Sequence, residues 1–142
     1  MIKIVAIIFL CFTSFFSCQK EIVSVWLLRG DWSIKELTVK KDFLGKKSEY
    51  TINNAGTFHF EKKEKGNLTQ AQDSALITDD FTWRIESKTI TITYQESESI
   101  ETWTIINKSN NRQEWEITEN FTHESGGIST KETRYRKIIL QK

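Results

Sequence analysis

The sequence contains no proline, and its two cysteines, Cys11 and Cys18, both lie near the N-terminus. Without proline there is no cis-proline turn, and no strand loses a ladder donor. Cys11 sits inside an apolar run and Cys18 at its end. The rest of the chain therefore offers no thiol for a disulfide, a redox pair or a zinc site. Histidine is equally scarce. His59 and His123 are far apart, without the H-x-H or HExxH spacing of metal ligands, so no metal is expected. His59 falls between Phe58 and Phe60, which aims it at solvent, and His123 stands in a Gly-rich loop. No G-x-S-x-G, P-loop or dinucleotide fingerprint occurs, so neither a cofactor nor an enzyme activity is expected. The carboxylates Asp79, Asp80, Glu96 and Glu98 stand beside turns and read as solvated charges. An excess of charge of one sign is also missing. Twenty basic residues face 19 acidic ones, interspersed along the chain. That balance excludes a nucleic-acid patch and electrostatic docking on anionic lipid.

What is present begins with Met1 to Cys18. Lys3 precedes an apolar run from Ile4 to Phe16, and polar Gln19-Lys20-Glu21 follows at once. This is the layout of a secretory signal. The run falls short of the about 20 apolar residues that a membrane-spanning helix needs. Ordinary signal cleavage wants small residues at −1 and −3. Before Cys18 those are Ser17, which is small, and Phe15, which is not. The end of the run resembles the lipobox of bacterial lipoproteins. That resemblance implies a cleaved leader over residues 1–17 and a diacylated Cys18 that attaches the chain to a bilayer. Two acyl chains suffice for stable anchoring. The expected location is the outer membrane or cell envelope, with its periplasmic and surface faces both open. Residues 18–29 then form a lipidated tether and lead-in, with Ile22 to Leu28 apolar enough for a turn or two of helix. Residues 30–142 form one domain, large enough for a core of its own.

The chain after Cys18 is rich in Thr, Ile and aromatics, including all five Trp, which suit a half-buried pleated surface. Trp32 to Val39 predicts a first strand. Its apolar phase slips between Ile34 and Leu37, the mark of a bulge. Asn53-Asn54-Ala55-Gly56 predicts a turn between strands at 48–52 and 57–61. Residues 62–75 read as a long polar loop. Clean alternation follows at 81–85, 89–94, 100–106, 114–117 and 131–140. About eight short strands joined by hairpins predict an all-β, up-and-down antiparallel barrel.

Gly30-Asp31-Trp32 opens the first strand with Gly-x-Trp. The pattern around Tyr50, Ile52, Gly56, Phe58 and Phe60, then Phe81-x-Trp83 and an alternating hairpin, covers nearly the whole domain. Together these residues resemble the lipocalin-like lipoproteins of Gram-negative bacteria. The resemblance implies that Gly30 and Trp32 build the floor of the barrel. It also implies that an arginine near the last strand, Arg134 or Arg136, packs over Trp32.

Alternation directs Phe58, Phe60, Phe81, Trp83, Tyr94, Trp103 and Trp115 inward, with Tyr50 and Ile52 among the other inward positions. An eight-stranded barrel is just wide enough to be filled by side chains or to hold one small ligand. Two readings stay open. In one, the barrel binds a small apolar or aromatic ligand among these rings. In the other it is filled, and its loops bind another envelope protein as an inhibitor or complex subunit. Asn67, Asn107 and Asn120 begin N-glycosylation patterns, discounted in a bacterial lipoprotein. Asp73-Ser74-Ala75 resembles an O-glycosylation signal of one Gram-negative phylum, which makes Ser74 a candidate for modification.

Overall fold

The computed structural model describes residues 25–72 and 75–142. The expected leader, the candidate lipidation site Cys18 and the candidate Ser74 lie outside the described residues. One helical turn over residues 25–28 leads into eight strands. These are β1 (Gly30–Phe43), β2 (Lys46–Phe60), β3 (Lys65–Gln72), β4 (Ala75–Glu86), β5 (Thr89–Tyr94), β6 (Ile100–Lys108), β7 (Arg112–Ser125) and β8 (Ile128–Gln141). Each pairs antiparallel with its sequence neighbour, and β8 returns to β1 to close the barrel.

Two sequence expectations are corrected. Asn53 to Gly56 is not a turn but part of the continuous strand β2. Ile34 pairs with Gly56 and Glu36 with Asn53, so Asn54 and Ala55 together face Lys35 in a bulge. Asn54 has φ 53°, the left-handed conformation that asparagine tolerates in turns and bulges alike. The true hairpin lies at Leu44 (φ 53°) and Gly45 (φ 77°), the two positive φ values of a tight primed turn. The second correction concerns residues 62–75. A 3-10 turn at Lys62–Glu64 is followed by β3, paired with both β2 and β4. Its inward residues are Gly66, Leu68 and Gln70, so it carries almost no apolar alternation. Gly66 leaves room for a neighbour. A Cβ there would lie 2.6 Å from the Phe81 ring and would strike the His59 carbonyl oxygen.

The core fills the lower barrel. Phe60 sits 5.4 Å from the Phe81 ring, 5.4 Å from Trp83 and 6.0 Å from Trp115, each nearly edge to face. Such pairs add about 0.5–1.5 kcal/mol each beyond their buried area. Trp32, fully buried, closes the floor, and its Nε1–H donates to the Leu28 carbonyl at 2.6 Å. The chain enters at this closed end, and the hairpins at residues 44–45 and 126–127 mark the opposite mouth.

The barrel wall is uneven. The β2–β3 ladder covers only Thr57 to Phe60, and the β6–β7 ladder stops at Glu116. Beyond those points β2, β1, β8 and β7 rise as a four-stranded apron past the opposite rim. Tyr50 and Ile52 pair with Val39 and Leu37 on its inner face. They are 46% and 44% exposed rather than part of the core.

Candidate functional site

Above the aromatic stack a cavity of about 280 Å³ remains. Its lower surface is apolar, formed by Ile34, Leu37, Phe58, Leu68 and Ile138. Its walls are polar and aromatic, formed by Gln70, Asp79, Tyr94, Glu101, Trp103 and Arg136. Ile77, Ser97 and Ser99 stand exposed at the rim. Other hollows lie on the outer wall, among residues such as Lys40, Lys47 and Glu49, or Ser87, Lys88 and Lys108.

Of the seven inward rings, three reach the cavity: Phe58, Tyr94 and Trp103. Phe60, Phe81, Trp83 and Trp115 do not. They are buried in the packed stack below, where mutual edge contacts leave them no free face. As ligand-lining residues these four are corrected to core.

The floor assignment is corrected in the same way. Gly30 and Trp32 stand at the closed end, but Arg134 and Arg136 do not. Arg136 pairs with Val39 and Arg134 with Lys41, toward the far end of β1. The cation over Trp32 is Lys142, with Nζ 5.3 Å from the ring centroid and 3.5 Å from the Leu27 carbonyl. Lys142 reaches this position because it directly follows β8, which ends beside the start of antiparallel β1.

Arg136 instead organises the mouth. Its Nη2 donates to Glu101 at 2.7 Å and to Glu119 at 2.8 Å, and its Nε donates to Glu119 at 3.1 Å. The guanidinium carbon stands 5.0 Å from the centroid of Trp103. Glu101 is fully engaged. Its other oxygen accepts from Trp103 Nε1 at 3.0 Å and from the Tyr94 hydroxyl at 3.3 Å. Burial opposes the charge on Arg136, but Glu101 and Glu119 more than compensate and hold its pKa above the ordinary value. Burial pushes the Tyr94 hydroxyl far above the normal phenol range, and Glu101 adds to it. Tyr94 is therefore a permanent donor. Higher on the apron, Arg134 binds Glu132 through Nε and Nη2 and lies over Phe121, and His123 also meets Glu132 at 3.2 Å.

Hydropathy does not mark Glu101 or Glu119 as inward groups, and Asp79 reads as a solvated charge from the sequence. It is half-buried in the cavity wall instead. The available signal was phase. Asp79 precedes Phe81 by two residues, Glu101 precedes Trp103 by two, and Glu119 follows Ile117 by two, all on the inward side. Among the described residues no group of three or more His, Cys, Asp or Glu could hold a metal ion.

No protein-family model matches the chain. No curated protein matches it in sequence. Solved structures that resemble it include two from Bacteroides. A lipocalin-like protein from Bacteroides uniformis has 14% identity and a TM-score of 0.52, over 82% of this chain and 98% of that one. An uncharacterized protein from Bacteroides eggerthii has 9% identity and a TM-score of 0.48, over 80% and 98%. The fold is a lipocalin-like barrel of eight antiparallel strands.

Proposed function

We propose that this chain is a membrane-anchored, non-enzymatic lipocalin-like lipoprotein that binds one small, largely apolar or aromatic molecule at the mouth of its barrel. The observation that carries this is the cavity of about 280 Å³ above a solid aromatic core, apolar below and polar at the rim. Ligand pockets are built in this way, with an apolar lining and a few placed polar groups, and run from about 300 Å³ upward. The occupant is accordingly small, the size of one substituted ring. The anchor is the acylated Cys18. The location is the outer membrane or cell envelope. Native mass spectrometry of the protein purified from its own host tests the binding. A discrete small adduct, released on unfolding, is expected. Recovery at the acylated polypeptide mass alone, with no apolar probe taken up afterwards, overturns the reading.

The second reading, a module whose mouth docks another envelope protein, draws on a different observation. Leu76, Ile77 and Ile100 at the rim, with Tyr50 and Ile52 on the apron, are all exposed apolar side chains at the open end. Clusters of this kind mark contact surfaces.

A further inference from the structure

The polar groups of the cavity are not evenly divided between donors and acceptors. Three strong donors face it, and each is tied to a carboxylate, the guanidinium through Nε and Nη2. The guanidinium of Arg136 is held by Glu101 and Glu119, while Trp103 Nε1 and the Tyr94 hydroxyl both donate to Glu101. Asp79 is different. It has no ion-pair partner among the described residues, and its one polar contact is the Glu96 backbone N–H at 3.3 Å. The lining thus carries two carboxylates, Asp79 and Glu101, against the single cation Arg136. The remaining charges of the apron lie outside the lining, with Arg134 paired to Glu132 and Lys41 over Tyr50. The field at Tyr94 agrees: after burial, Glu101 and Asp79 both favour its protonated form and only Arg136 opposes it.

Resting on the reading of the cavity as a binding site, we propose that its occupant is a small amine, an apolar or aromatic body ending in a positively charged head that pairs with Asp79. A carboxylate head meets Asp79 at close range in a partly desolvated site, where like charges repel and the one cation of the lining, Arg136, is already matched by Glu101 and Glu119. An ammonium head gains the ion pair and lies beside the Tyr94 and Phe58 rings, whose faces attract cations. The apolar floor of Ile34, Leu37, Leu68 and Ile138 takes the body of the molecule.

Calorimetric titration of the protein with three probes of one shape, phenylbutylamine, phenylbutanol and phenylbutyrate, separates the possibilities at neutral pH. The amine is expected to bind at least about tenfold more tightly than the carboxylate, a difference of ~1.4 kcal/mol, with the alcohol between them. In Asp79→Asn the amine should lose its advantage over the alcohol while the alcohol keeps its affinity. Equal or tighter binding of phenylbutyrate overturns the amine assignment and leaves the cavity a binding site. An amine preference that survives in Asp79→Asn also overturns it, since another group then supplies the selectivity. Failure of all three probes to bind overturns the binding reading itself, and the amine assignment with it.

Discussion

Arg136 lies over Trp103, its guanidinium carbon 5.0 Å from the ring centroid, at the end of the barrel opposite Trp32. This arrangement gives the C-terminal segment two separate cations with two separate tasks. Lys142 covers the floor, and Arg136 ties β6, β7 and β8 together at the mouth through Glu101 and Glu119.

Arg136→Ala strands two half-buried carboxylates. It should cost about 2–3 kcal/mol, the range for charged hydrogen bonds in a partly buried site. Arg136→Lys should recover little, because one ammonium cannot reproduce the forked contacts. Chemical denaturation checks both, and a wild-type midpoint in Arg136→Ala would contradict the network.

The floor behaves differently. Trp32→Ala should cost about 3–5 kcal/mol as a fully buried aromatic is removed. Lys142→Ala should cost only ~1 kcal/mol, the scale of an exposed cation–π contact. Arg134→Ala should leave the Trp32 environment unaltered, which the emission of a variant retaining Trp32 as its only tryptophan would report. A shift on losing Arg134 would restore it to the floor.

Gly66 is a packing requirement of β3. Gly66→Ala brings a methyl against the Phe81 ring and the His59 carbonyl, and should destabilise by about 1–3 kcal/mol, as overpacking does. Pairing with Phe81→Leu should relieve part of that loss, measurable as non-additivity in a double-mutant cycle.

These sites show how far the sequence could be read. The packed half of the barrel was legible, because Phe81-x-Trp83-x-Ile85 and Ile90-x-Ile92-x-Tyr94 alternate in register with a dry interior. The mouth was not. There the inward positions are Gln70, Asp79, Glu101, Glu119 and Arg136, and a polar residue facing a cavity carries the same hydropathy as one facing solvent. Strand β3 was hidden for the same reason. One of its inward positions is an empty glycine under Phe81, and another is a glutamine in the cavity wall. Asn54 misled for a chemical reason, since a left-handed asparagine serves a bulge as well as a turn. Alternation yields about eight strands, although it divides β2 in two and passes over β3. The arginine expected over Trp32 was placed by likeness to other barrels, and here a C-terminal lysine occupies that position.

Acid should loosen the structure. Glu132 is held below its ordinary pKa of 4.5, first by its hydrogen bond from Arg134 and then by His123. Glu114 is held down by Lys137 and Arg112. A carboxyl with a depressed folded-state pKa stabilises the fold above its unfolded value, and that contribution is lost as pH falls through the folded value. Melting temperature should therefore decline below pH 4.5, and Glu132→Gln should flatten part of the decline. An unchanged slope in that variant would contradict the assignment.

The central claim is that the void above the aromatic stack, and not the stack itself, is the binding site. Calorimetric titration of phenylbutanol into Leu68→Trp and Phe81→Leu tests it most directly, with circular dichroism confirming that each variant retains the barrel. Leu68 lines the void and Phe81 lies in the stack beneath it. Filling the void in Leu68→Trp should abolish binding while the barrel persists. Phe81→Leu should lower the melting temperature and leave affinity within about twofold, a difference of ~0.4 kcal/mol. Undiminished binding in Leu68→Trp, or binding lost only in Phe81→Leu, would contradict the account.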